Sequence, residues 1–147
     1  MTPIHVQYFK HNYRWQKANE VQYLNLLPES QLNDVRQFSH SKGFFNALAG
    51  KLLLRNALLE AGEPLSKFGE IRTGAHGKPY HPELFEFNVT HTDGLVAIAW
   101  SYDFAVGLDS ERLRPKDPFL FTKQFNATDM EDFRTSSDPV KAFFRRW

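Results

Sequence analysis

Phe85-Glu86-Phe87-Asn88-Val89-Thr90-His91-Thr92-Asp93-Gly94-Leu95-Val96-Ala97-Ile98-Ala99-Trp100-Ser101-Tyr102 is the stretch that decides the fold. Phe85, Phe87 and Val89 alternate with polar neighbours, the period of a half-buried strand. Thr92-Asp93-Gly94 is a hairpin signal, and Leu95 to Tyr102, nearly all apolar, reads as the returning strand. Downstream, Asp103 turns the chain and Ala105 to Glu111 is expected to form a further strand. Upstream, Glu70 to Thr73 reads as a strand, and Ala75-His76-Gly77 as a turn in which glycine supplies backbone freedom. Together these make an antiparallel meander.

Working outward, Ser41 to Ala61 is the clearest helix. Phe44, Phe45, Leu48, Leu52 and Leu59 recur at intervals of three and four. Gly62 suits a left-handed cap, and Pro64 blocks continuation. The apolar stripe is wide, so this helix is expected to lie against the sheet; Lys42, Lys51 and Arg55 on it read most simply as a solvated face. One long helix followed by an antiparallel meander is an α+β layout. At the N-terminal end, Ile4, Val6 and Tyr8 alternate with His5 and Gln7, a short strand with one buried face. Lys10 to Lys17 reads as a loop and Val21 to Leu27 as a short helix stopped by Pro28. Pro28-Glu29-Ser30 then opens a new helix with Leu32, Val35 and Phe38 on one side.

Beyond Pro115 the texture changes. Phe119 to Phe125 is expected to be helical, Thr128-Asp129-Met130-Glu131 has capping-box spacing, and Asp138-Pro139 is a cap followed by a first-turn proline. Val140, Phe143, Phe144 and Trp147 then fall on one helix face. The chain stops there in mid-pattern, and the expectation is that a remainder is missing.

Composition bounds the function. At 147 residues the chain is the size of one ordinary domain, and 41% hydrophobic content predicts folding rather than disorder. Lys plus Arg is 18 against 17 for Asp plus Glu, a net charge of +1 that argues against a general nucleic-acid binder. With no cysteine there are no disulfides, thiolate zinc sites or cysteine nucleophiles, which is compatible with a reducing compartment. No basic-then-apolar leader opens the chain, and no apolar run approaches the roughly 20 residues of a membrane span. A soluble cytoplasmic protein is expected.

The chemistry-bearing residues lie between Gly77 and Pro115. Asp109 and Glu111 are two apart on an expected strand, so alternation places both carboxylates on one face. Two hard oxygen donors so placed suit Mg²⁺, which takes one or two carboxylates and completes its shell with water and phosphate; the plain alternative is a strand end with two solvated acids. His91 sits at a strand end beside a turn, with Thr90 and Asn88 supplying a hydroxyl and an amide; a lone histidine is more often a hydrogen-bonded structural group than a functional one. Lys78, between Gly77 and the stiffening Pro79, offers an ammonium to a phosphate or to solvent.

Taken in order, Gly77-Lys78-Pro79-Tyr80, Phe87-Asn88-Val89-Thr90-His91, Gly107-Leu108-Asp109-Ser110-Glu111 and Pro115 resemble the 4′-phosphopantetheinyl transferase superfamily of the surfactin-synthetase type. Its members show a G-K-P turn, an F-N-hydrophobic-S-H strand, a G-hydrophobic-D-hydrophobic-E strand with a nearby proline, and a W-x-x-K-E-A-x-x-K helix. Thr90 stands where serine is usual and keeps the hydroxyl; Ser110 stands where an apolar residue is usual. Leu48 to Arg55 resembles the family's long first helix. Phe125-Asn126-Ala127-Thr128-Asp129 is similar to its F-S-x-x-E segment, and Phe143 to Trp147 to the run that leads into the last motif.

The resemblance implies transfer of the phosphopantetheine arm of coenzyme A to a serine of an acyl or peptidyl carrier protein, the holo-[acyl-carrier-protein] synthase reaction of fatty acid, polyketide or nonribosomal peptide synthesis. It implies Asp109 and Glu111 as Mg²⁺ ligands at the catalytic centre, and Lys78 and His91 as contacts to coenzyme A phosphates. Gly77, Pro79, Asn88 and Thr90 line the same site. Lys42 aligns with a basic position that meets the nucleotide phosphate, and Asn46 stands where some members carry an arginine. The implied fold is a pseudo-dimer of two α+β halves, monomeric at full length. Residues 1–111 would be the first half, and 112–147 an incomplete start of the second. The family's third carboxylate would lie beyond Trp147, so the chain by itself is expected to be inactive. The alternatives are a non-catalytic fragment that binds coenzyme A or a carrier protein, and an unrelated Mg²⁺-dependent phosphate enzyme.

Overall fold

The computed structural model describes residues 3–12, 17–39, 42–121 and 123–146. They divide into two compact units, Met1–Ser110 and Glu111–Trp147.

In the first unit a three-stranded antiparallel sheet carries β1 (His5–Lys10), β4 (Glu86–Thr92) and β5 (Leu95–Ser101) in the order β1-β5-β4. A separate two-stranded ribbon pairs β2 (Arg72–Thr73) with β3 (Pro79–Tyr80). The β4–β5 hairpin forms where the sequence predicts it: Thr92 pairs with Leu95, and Gly94 turns the chain at φ +79°. Helix α3 (Lys42–Glu60) lies against the sheet. Phe44, Leu48, Leu54, Ala57 and Leu58 share its core with Phe85, Phe87, Ile98 and Trp100. A Cβ on Gly50 would sit 3.3 Å from Val89 Cγ1, so this glycine permits close approach of helix and sheet. The helix ends as expected at Gly62, φ +74°, where Glu63 N–H reaches the Leu58 carbonyl at 2.9 Å and Gly62 N–H that of Leu59 at 3.1 Å. This is a Schellman closure. Helices α1 (Lys17–Leu24) and α2 (Glu29–Arg36) precede it, and α2 buries Gln31, Leu32 and Val35.

Several expectations are corrected. The short helix before Pro28 lies further upstream than predicted, and Leu27 is buried just beyond its end. Residues 65–70 form a 3-10 helix, which shortens the strand expected at 70–73. β1 is a strand, but Val6 and Tyr8 are 58% and 65% exposed. The register sets them opposite Ala99 and Ala97, on the sheet face away from α3. His5 and Gln7 turn inward instead: His5 stacks on Trp100 at 3.8 Å, and Gln7 bonds Glu60 and accepts from Asn56 Nδ2 at 3.0 Å. Lys51 is not solvated either. Its side chain is 17% exposed, and its ammonium donates to Gln31 Oε1 and Asp34 Oδ2 of α2, each at 2.6 Å. At the end of β5, Tyr102 donates to Glu63 at 2.7 Å; this bond, with a second from Lys67, holds the Glu63 carboxyl below the usual carboxylate range.

The strand expected over Ala105 to Glu111 does not form; the segment joins neither sheet. Its amides go to side chains: Leu108 N–H donates to Asn88 Oδ1 at 3.3 Å and Ser110 N–H to Thr90 Oγ1 at 3.2 Å. Side-chain acceptors compete here with a backbone ladder, and Gly107 and Ser110 have little strand preference to resist them. The exposed–covered alternation survives, with Asp109 outward and Leu108 and Ser110 partly covered.

In the second unit a 3-10 turn (Pro118–Phe121) replaces much of the helix expected over 119–125. Helices α4 (Ala127–Thr135) and α5 (Pro139–Arg146) follow. The capping box is formed by Asn126 and Asp129 rather than by Thr128 and Glu131. Asp138 caps α5, accepting from Lys141 N–H at 3.0 Å. Met130, Phe133 and Phe143 form the core, and Arg146 clasps the pair through Asp132 at 2.6 Å. Trp147 lies outside the described residues. Among the described residues no helix is long and apolar enough to cross a membrane.

Candidate functional site

β4 carries the candidate residues, and its pleat sorts them. Phe87, Val89 and His91 face α3; Asn88 and Thr90 point to the opposite face. On that face the 106–110 segment runs in the same direction as β4, with its amides at Leu108 and Ser110 matched to Asn88 and Thr90. Thr90 Oγ1 donates to Asp109 Oδ1 at 3.3 Å and lies 3.1 Å from Ser110 Oγ. Asp109 Oδ1 also accepts from Ser110 N–H at 2.9 Å. One carboxylate oxygen is thus held by the fold. Oδ2 makes no hydrogen bond among the described residues, and the side chain is exposed.

A second group gathers at the hairpin end. Lys42, the first residue of α3, places Nζ 2.7 Å from Asp93 Oδ1. One turn on, Asn46 is 8% exposed and stands between two imidazoles, with Oδ1 3.2 Å from His11 Nε2 and Nδ2 3.4 Å from His91 Nδ1. His11 is fixed there by its backbone: its N–H donates to the Gly94 carbonyl at 2.9 Å, and a Cβ on Gly94 would lie 2.9 Å from the His11 carbonyl oxygen. Gly94→Ala therefore meets both a left-handed φ and a backbone clash. It is expected to cost roughly 1–3 kcal/mol, read as a lowered urea midpoint.

Lys78 stands apart from the hairpin-end group. Gly77, at φ +76°, closes the turn between β2 and β3 with Gly77 N–H on the Gly74 carbonyl at 3.0 Å, and Pro79 opens β3. Lys78 Nζ lies 3.4 Å from Glu86 Oε2, at the start of β4. His91 is five residues further along that strand, roughly 17 Å away at about 3.4 Å per residue. Glu111 is exposed and makes no ion pair or hydrogen bond among the described residues.

The structure therefore joins Asn88, Thr90 and Asp109 on one face of β4 and Lys42 with His91 at its hairpin end, and leaves Lys78 at the other end. Among the described residues no three His, Asp or Glu side chains form a metal cluster. Asp109 and Glu111 still fit Mg²⁺ by donor type: both are exposed hard-oxygen ligands, and Mg²⁺ retains several waters. Sequence reasoning missed His11, Asp93 and the bridging part of Asn46. The available signal was an amide four residues after Lys42 on an otherwise apolar helix arc.

The chain is 27% identical over 125 residues to the 4′-phosphopantetheinyl transferase gsp of Aneurinibacillus migulanus, a match covering 84% of this chain and 52% of that protein. It spans about half the length of that relative. No protein-family model matches the chain.

Proposed function

We propose that this chain is the coenzyme A-binding half of a 4′-phosphopantetheinyl transferase, which moves the phosphopantetheine arm of coenzyme A to a serine of an acyl or peptidyl carrier protein. The observation that carries the reading is the ordered set Gly77-Lys78-Pro79, Phe87 to His91 and Gly107 to Glu111, in a chain alike over 84% of its length to a 4′-phosphopantetheinyl transferase. In this reading Lys42 and His91 receive phosphate oxygens at the hairpin end and Lys78 offers a further cationic contact. Asn88 and Thr90 hold the 106–110 segment so that Asp109 presents its outer oxygen. Asp109 and Glu111 would hold Mg²⁺, which would neutralise charge developing on the pyrophosphate. The carrier serine oxygen bonds to the phosphorus that bears the pantetheine, and the bond from that phosphorus to the bridging oxygen breaks, releasing adenosine 3′,5′-bisphosphate. The base that takes the serine proton belongs to a second α+β half of the pseudo-dimer. The whole enzyme is a cytoplasmic monomer, and the present chain alone binds without transferring.

That the chain spans only 52% of its relative is what favours binding without transfer here. Calorimetry of this chain with coenzyme A, with and without Mg²⁺, tests the reading. Saturable binding strengthened by Mg²⁺ is expected, while an apo carrier protein incubated with both gains no mass. Absence of any coenzyme A binding overturns the assignment, and a mass gain overturns the assignment of the base to a second half.

A further inference from the structure

An amide buried on the sheet-facing side of α3 needs partners for both its ends, because an unsatisfied buried polar group costs far more than a hydrogen bond returns. Asn46 finds them in two imidazoles from distant parts of the chain, His11 after β1 and His91 on β4. The two ends of an amide are not equivalent: the oxygen only accepts and the nitrogen only donates. With Oδ1 on His11 Nε2, that ring nitrogen carries a hydrogen. With Nδ2 on His91 Nδ1, that nitrogen is a bare lone pair, and the neutral His91 ring has its hydrogen on Nε2. His91 is exposed and its Nε2 makes no hydrogen bond among the described residues. It lies at the same end of the hairpin as the Lys42–Asp93 pair.

We propose that Asn46 is a positioning residue that locks His91 in the Nε2–H tautomer, so that the open edge of the ring is a fixed hydrogen-bond donor for a phosphate oxygen. The tautomer follows from the orientation of the Asn46 amide, Oδ1 to His11 and Nδ2 to His91; the identity of the acceptor rests on the coenzyme A reading above. A ring free to exchange would present a lone pair to the phosphate part of the time, and a lone pair repels an anionic oxygen. The lock removes that mismatched form before the ligand arrives, which is preorganisation in the ordinary sense. It also accounts for an amide where an arginine would extend the positive surface: at this corner the side chain acts on its neighbour instead of on the ligand.

The test is a long-range ¹H–¹⁵N correlation spectrum of the histidine-labelled chain at about pH 8, where an ordinary imidazole is neutral. His91 is expected to show a pyridine-type shift at Nδ1 and a pyrrole-type shift at Nε2. In Asn46→Ala the pattern moves toward a tautomer mixture. In Asn46→Asp, whose carboxylate can only accept, the hydrogen moves to Nδ1. A pyrrole-type Nδ1 or a mixed pattern in the parent chain overturns the proposal, and so does a His91 pattern unchanged in Asn46→Ala. Should the variants unfold, the parent spectrum alone decides.

A thermodynamic cycle adds a readout that a purely structural residue would not give. Asn46→Ala is expected to weaken coenzyme A binding roughly threefold to tenfold, the scale of one compromised hydrogen bond to a charged group. It should add nothing when His91 is already alanine, whereas independent losses in the two variants contradict action through His91. If the parent chain fails to bind coenzyme A, the functional reading falls while the tautomer measurement still decides the role of Asn46.

Discussion

Under the proposed function, Asp109→Asn combined with Glu111→Gln is expected to abolish the Mg²⁺-dependent part of coenzyme A binding, lowering affinity in saturating Mg²⁺ by about a hundredfold or more. Two charged ligands to a divalent cation that neutralises a pyrophosphate contribute several kcal/mol, and about 1.4 kcal/mol is a factor of ten. The amide at 109 is chosen to isolate charge from folding. Oδ1 of Asp109 accepts from Ser110 N–H at 2.9 Å and from Thr90 Oγ1 at 3.3 Å, and an asparagine oxygen can accept both. The 106–110 segment should stay in place, and the melting temperature should not move. The comparison that matters is parent chain plus chelator against double variant plus Mg²⁺: the two affinities are expected to coincide. A double variant that still responds to Mg²⁺ would place the metal elsewhere.

The parts of the fold legible in the sequence are those encoded by neighbours. Thr92-Asp93-Gly94 announces its hairpin because turn geometry requires the positive φ that Gly94 adopts. Helix α3 is announced by its apolar spacing and by Gly62 and Pro64. The parts that were not legible depend on partners far along the chain. β1 looks as if Val6 and Tyr8 should turn inward, yet Gln7 is bonded to Glu60 and Asn56, about fifty positions away, and His5 stacks on Trp100. Lys51 looks solvated until α2 brings Gln31 and Asp34 to it. The same holds in the candidate site. The residue types were readable, and so was the relation of Asn88 and Thr90 by strand period. That Asp109 would be held by Thr90 without a strand ladder was not, because the deciding partners are side chains of β4, about twenty positions back along the chain. Nor was the separation of Lys78 from His91, since sequence order carries no information about which end of β4 the Gly77 turn reaches.

Phe87→Ala is expected to lower the stability of the first unit by roughly 3–5 kcal/mol, the range for removing a buried phenylalanine. Phe87 is 2% exposed, meets Phe85 edge-on at 6.0 Å, and belongs to the cluster that joins β4 and β5 to α3. Neighbours on a sheet and a 19-residue helix cannot collapse far into the vacated space, so the cavity term should be close to its full value. Against a total of about 5–15 kcal/mol for an ordinary domain, this is a large fraction, and the urea midpoint should fall with the slope unchanged. The substitution also separates scaffold from site. Phe87 points toward α3, while its neighbour Asn88 points to the other face and accepts from Leu108 N–H. Coenzyme A affinity per folded molecule should therefore be nearly unchanged, measured well below the unfolding transition. A large loss of affinity without a fall in stability would mean that the core face of β4 takes part in binding, and would redraw the division between the strand's two faces.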